Sequence, residues 1–240
     1  MNWEPWTGCH RISEGCQNCY FYGPHAKRYG QNIIQKTDKF DWPIRKNKKG
    51  EYNIKGNKIL ATCFTTDFFL PEADEWRKEA WAFMKQRTDI EFLILTKRID
   101  RFFVSLPEDW NTGYENVRIG CTVETQKIAD ERLPFFLSCP IKRKFIACAP
   151  LLEPINLTNY LSGVEHVTVS GETSKEARVC DYEWVLDIRK QCEKANVTFW
   201  FKSTGSKFRR NGVVENINPF KQTGLAKELG INISDGKPLF

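Results

Sequence analysis

Three of the chain's nine cysteines, Cys9, Cys16 and Cys19, fall within the stretch TGCHRISEGCQNCYFYG. The spacing is C-x6-C-x2-C, and no fourth cysteine lies nearby. Thiolates are soft ligands that suit zinc and iron–sulfur clusters. A structural zinc site wants four closed ligands. The fourth would be His10, awkwardly adjacent to Cys9, or His25, six residues beyond Cys19. A [4Fe–4S] cluster normally takes four cysteines. Held by three, it keeps one iron open, and the amino and carboxylate groups of S-adenosylmethionine can chelate that iron. An electron from the reduced cluster then breaks a sulfonium C–S bond and releases a 5′-deoxyadenosyl radical. The protein's share of that chemistry is position, redox tuning and a dry cavity.

Such a loop needs a scaffold to aim it. Seven short β-type runs recur along the chain: NWEPW, KILATCFTT, IEFLILTK, VRIGCTVE, RKFIACAP, HVTVSGE and VTFWFKS. Several are nearly continuous apolar runs, as strands buried on both faces should be. Helical patterns lie between them. Residues 72–87 set Trp76, Ala80, Phe83 and Met84 on one face. Residues 125–138 carry Ile128, Phe135 and Phe136, with Pro134 marking a break or a new start. Residues 182–195 follow Asp181, a good N-cap, and align Trp184, Ile188 and Cys192. Strands alternating with helices imply a parallel sheet. The expectation is an α/β fold, a partial (β/α) barrel of six or seven parallel strands spanning residues 1–204. A basic insertion at 37–58 interrupts it, and an extension at 205–240 caps one end.

In parallel α/β folds the chemistry gathers at the carboxyl ends of the strands. The first polar residues there are Thr65, Thr66 and Asp67; Thr96, Lys97 and Arg98; Thr122 and Glu124; Glu153; Ser170 and Glu172; and Lys202 to Thr204. The cysteine loop begins at the end of the first run. Lys97, Arg98 or Lys202 can hold the methionyl carboxylate of S-adenosylmethionine. Asp67 or Glu172 can take its amino group or ribose hydroxyls, and Tyr20 can lie against the adenine. Cys63, Cys121, Cys148 and Cys192 read as small buried hydrophobes. His166 precedes its strand, at the wrong end for the mouth, which disfavours a histidine-assisted hydrolase.

At this point a resemblance enters. NWEPWTGCHRISEGCQNCYFYGPHAKR resembles the opening of a phage and bacterial three-cysteine-motif family of poorly defined function. That family is similar in turn to radical S-adenosylmethionine enzymes, including spore photoproduct lyase-like proteins. FTTDFFLPEADEW, FLILTKR, GCTVETQKIADERLP, FIACAPLLEPINL and the block from VSGETSKEARV to VTFWFK extend the similarity through most of the chain. The resemblance implies a radical-enzyme-like fold, a cluster on Cys9, Cys16 and Cys19, and a flavodoxin- or ferredoxin-type electron donor. The sequence departs from the usual C-x3-C-x2-C spacing, and Thr65-Thr66-Asp67 stands where a glycine-rich segment is usual.

The whole chain has 240 residues, 41% hydrophobic and 28% charged, the composition of a globular domain rather than a disordered or membrane one. The N-terminus has no signal-peptide pattern, and no apolar run nears the roughly 18 residues of a spanning helix. A cytoplasmic location and no membrane partner are expected. The net charge of +6 is uneven. Lys36–Lys58 and Lys202–Lys227 each carry +5, leaving −4 elsewhere. With Phe40, Trp42, Tyr52 and Phe208 read as exposed among these cations, a nucleic-acid partner is a second expectation. A third is a zinc-stabilised, non-catalytic binding module.

Overall fold

A computed structural model describes residues 1–22 and 32–234. In chain order its strands are β1 (Asn2–Trp3), β2 (Trp6–Thr7), β3 (Gln35–Lys36), β4 (Lys58–Thr62), β5 (Ile90–Thr96) and β6 (Val117–Thr122). They continue as β7 (Arg143–Cys148), β8 (His166–Ser170), β9 (Cys180–Asp181), β10 (Thr198–Ser203), β11 (Lys207–Arg210) and β12 (Val213–Asn216). The helices are α1 (Asp74–Gln86), α2 (Gln126–Ser138), α3 (Tyr182–Lys194) and α4 (Gln222–Glu228). Seven strands, in the order β1-β4-β5-β6-β7-β8-β10, form one parallel sheet that curls into a half-barrel. The expected partial (β/α) barrel is therefore the observed fold, and each of the seven runs supplies one strand.

Strand alternation divides the sheet into two faces. Leu60, Phe92, Ile94, Ile119, Cys121, Ile146, Cys148, Val167, Val169, Phe199 and Phe201 join the main core, where the helices pack. The alternate positions turn inward. Leu93, Phe145 and Ala147 form a second, smaller apolar cluster with Ile59, Phe64, Leu95 and Ala149 against it. Gly120 belongs to this inner face, and a Cβ there would sit 2.1 Å from the Phe145 ring. At the amino ends of the strands, Arg118 and Arg143 pair with Glu91 and Glu165 and floor the half-barrel.

The helices follow their sequence patterns with local differences. Thr125 and Asp181 cap α2 and α3, accepting from the amides of Ile128 and Glu183. Ala80 and Met84 of α1 are buried as expected, but Trp76 and Phe83 only border the core, while Trp81 and the Arg77 side chain lie within it. Pro134 does not break α2, which runs on to Ser138. Proline removes one helical donor, and the burial of Ala129, Leu133 and Phe136 holds the helix around that gap. Phe135 is exposed, while Phe136 is buried. The first run also differs. It divides at Pro5, so that Trp3 pairs into the large sheet while Trp6 and Thr7 pair antiparallel with Lys36 and Gln35. A residue with no amide donor ends the ladder there.

The described part of the extension packs beside β10. Its strand β11 pairs with β12 of the extension and with β9 of the barrel region, and Ile233 bridges to Phe199. Covering an edge strand removes a template for unwanted pairing.

Candidate functional site

The loop from Gly8 to Tyr22 spans the mouth of the half-barrel, and buried side chains from four strand ends anchor it. Gly8 turns with φ +85°, and a Cβ would meet Ile33 and Ile34 within 2.8 Å. Thr66 donates to the Gly8 carbonyl. Just beyond it, Arg98 donates to the His10 carbonyl at 2.7 Å and lies 3.9 Å from the Cys9 sulfur. Asp67 fixes Arg98 through a 3.2 Å ion pair. The same carboxylate accepts from the Thr96 hydroxyl and from the amides of Phe69 and Lys97. Asp67 is thus the hub that joins the ends of β4 and β5 to the Cys9 end of the loop.

The second anchor is Glu124, after β6, whose side chain is fully buried. It pairs with Lys97 and Arg132 and accepts from the Ser13 hydroxyl at 2.9 Å. Gly15 packs on the same carboxylate so closely that a Cβ would sit 2.4 Å from its Cγ. Cys16 is buried in the short 3-10 turn Glu14–Cys16 that this contact positions.

Glu172, beyond β8, is the third anchor. It accepts from Asn18 at 3.1 Å and from the amide and guanidinium of Arg178. Arg178 in turn donates to the Glu14 carbonyl at 2.9 Å. Burial pushes the Glu172 carboxyl up, but its bonds to Arg178 and Asn18 outweigh that and leave it below the usual range.

Most of the residues expected to meet the cosubstrate also have partners within the fold. Asp67, Arg98, Glu124 and Glu172 are engaged in holding the loop. Lys97 is committed to Glu124. Thr65 gives its amide to Glu4, and Thr66 its hydroxyl to Gly8. A strand-end polar residue can face either a ligand or the loop that follows, and here the loop takes most of them. Tyr20 and Lys202 keep more of their surface in solvent. Tyr20 is 40% exposed, with its hydroxyl on the Phe64 carbonyl at 2.8 Å. Lys202 is an inward-facing residue of β10, its ammonium 6.0 Å from the Trp200 ring. The concave surroundings of Lys202 lower its pKa by burial.

The three cysteines share one neighbourhood around Tyr22. Its hydroxyl donates to the Cys9 carbonyl at 2.7 Å. Burial first, and then Cys9, Cys16 and Cys19, raise its pKa. Burial also raises the Cys9 and Cys19 thiols, opposed by Arg98 at the first and by Lys97 and Arg11 at the second. Among the described residues, no three histidine, cysteine, aspartate or glutamate side chains are gathered as donors to a single ion. His25 lies outside the described residues. Cys63, Cys121, Cys148 and Cys192 are buried as expected. His166 bonds to Thr198 and Thr168 at the far end of the sheet.

One mouth residue escapes sequence reading. Glu4 follows β1 and accepts from the amides of Phe64 and Thr65 at 3.1 and 3.2 Å. Burial raises its pKa from 4.5 to about 7. The fold therefore favours the protonated form. Between those two values the unfolded chain has lost a proton that the folded chain keeps, so stability falls as pH rises through this window. The loss is up to about 3 kcal/mol at 1.36 kcal/mol per pH unit. Glu4→Gln should flatten that fall, and thermal melts from pH 4.5 to 7.5 test it. A wild-type curve with no decline above pH 4.5 would refute the burial effect. The signal available in advance is weak, since WEPW reads only as strand.

A curled parallel half-barrel with a three-thiol loop strapped over its carboxyl-end mouth defines an α/β half-barrel protein whose candidate site is cysteine-lined. The chain belongs to the family described as "Protein of unknown function (DUF5131)", whose model matches residues 1–229. No curated protein and no solved structure matches it. No helix among the described residues is long and apolar enough to cross a membrane.

Proposed function

We propose that the protein is a radical S-adenosylmethionine-type iron–sulfur enzyme, related in design to the enzymes that its opening motif resembles. One observation carries the reading. Cys9, Cys16 and Cys19 sit on a loop whose backbone is tied, by three buried carboxylate centres, over the open mouth of a half-barrel. A four-iron cluster carries each thiolate on a different iron, so it asks less convergence of its donors than a single tetrahedral zinc ion does. Lys97, Arg98 and Arg11 offset the negative charge that three thiolates bring. When bound with S-adenosylmethionine, such a cluster supplies one electron to a sulfonium C–S bond.

The chain's own residues supply the setting. Tyr20 and Lys202 are the groups best placed to meet an adenine ring and a carboxylate. The inner cluster of Leu93, Phe145 and Ala147 gives the concave face of the sheet an apolar lining. The electron donor would be a flavodoxin or ferredoxin in the cytoplasm. Anaerobic reconstitution with ferrous iron and sulfide should give a brown protein. With dithionite and S-adenosylmethionine it should release 5′-deoxyadenosine and methionine. Stoichiometric zinc with no iron uptake would overturn the reading.

A further inference from the structure

The two basic segments do not lie together. Residues 43–57 sit at the amino ends of the strands, where Arg87 holds the carbonyls of Pro43 and Ile54, and Asn57 bonds to Asp89. Many of the cations of this first segment are already engaged. Lys36, Arg45 and Lys55 pair with Glu79, Asp41 and Glu51, while Lys39 and Lys46 lie over Trp42 and Tyr52. Phe40 and Trp42 pack on the core, and Phe208 is buried at 1% exposure. The rings read as exposed from sequence are therefore not available as a stacking surface.

The second segment is different. The end of β10 opens at the mouth, and the buried Gln222 pins a turn beside it. Its amide nitrogen donates to Ser206 at 3.0 Å and to the Ile217 carbonyl at 3.3 Å, and its backbone carbonyl accepts from Thr204. Asn218 shapes that turn by accepting from the amides of Phe220 and Lys221. The turn presents Phe220 with 97% of its surface in solvent. Lys221 is the next residue of the turn, and the pairing of Lys207 with Asn216 and of the Ile217 amide with the Ser206 carbonyl brings Lys207 beside it, within a stretch of net charge +5. Arg209 is set apart by its ion pair with Asp181.

An aromatic face on a hydrogen-bonded turn, flanked by Lys207 and Lys221, suits an unpaired base stacked on the ring with its phosphates on the lysines. A paired base has no free face to offer. We propose that the Phe220 turn is a landing site for single-stranded nucleic acid at the rim of the mouth. This names a substrate class for the reading above and rests on it for any later chemistry. Its test needs neither iron nor S-adenosylmethionine, so each can fail alone.

The measurement is the fluorescence anisotropy of a short fluorescein-labelled oligothymidine titrated with the full chain at several salt concentrations. Binding should weaken with salt, with a log–log slope of about −0.7 per phosphate contacted. Phe220→Ala, which removes only exposed surface, should weaken binding roughly 5- to 150-fold and leave the slope unchanged. Lys207→Ala with Lys221→Ala should flatten the slope by about 1.4. No binding at low salt would overturn the proposal. So would an unaltered affinity in Phe220→Ala, or equal affinity for the matching duplex. A duplex preference would mean a general phosphate surface, and absence of any binding would leave the ring to a protein partner.

Discussion

Replacing Glu124 with alanine is expected to destabilise the protein by about 3 kcal/mol, near the lower end of what breaking a buried ion pair costs. The carboxylate is fully buried and serves Lys97, Arg132 and Ser13 together. Its removal leaves two cations facing each other with no anion between them. Lys97 and Arg132 keep 20% and 12% of their side-chain surface, so water recovers part of the loss. Against a total stability of roughly 5–15 kcal/mol, that is a large fraction. It should appear as a lower urea midpoint with an unchanged slope. Lys97→Met should cost less, because Glu124 retains Arg132 and Ser13. The double variant should show a coupling between the two, as residues within one ion network do. A loss below about 0.5 kcal/mol, the range of ordinary surface changes, would mean that the loop is not held through Glu124.

Cys16→Ser is expected to abolish the brown chromophore and the release of 5′-deoxyadenosine together. Loss of a direct ligand should exceed the roughly 10- to 100-fold penalty of losing a supporting residue. Cys16 is buried under the Ser13–Glu124 contact, and Ser13 reaches its sulfur at 3.8 Å. A serine of similar size should keep the fold while removing the soft donor. The control is Cys121→Ser, in β6 on the helix-packed face. Burial there pushes the thiol up to about 12, so it is a poor ligand. Cys121→Ser should keep iron, at some cost in stability. Equal iron content in both variants, measured after anaerobic reconstitution, would remove the three-thiol loop from the proposal.

Much of this was legible in one dimension. Apolar runs such as FLILT and FIAC are too apolar for a half-exposed strand, and hydrophobic burial makes such runs parallel and interior. Asp181 and Thr125 are caps because a side-chain oxygen next to a free amide is a local matter. The cysteine spacing marked the loop for the same reason. What the sequence could not decide was the partner of each charge. Asp67, Arg98, Glu124 and Glu172 are each polar residues at strand ends, and nothing local says whether they face a ligand or a loop more than a hundred residues away in sequence, as Glu124 faces Ser13. Nor could it separate Phe208 from Phe220. Both are aromatic residues in a basic stretch, but Phe208 packs against Phe201 and Tyr182, while Phe220 rides a turn held by Gln222. Periodicity and capping depend on neighbours along the chain and so are written in it. Ion pairs and exposure depend on which distant strands the fold brings side by side, and only the tertiary structure settles that.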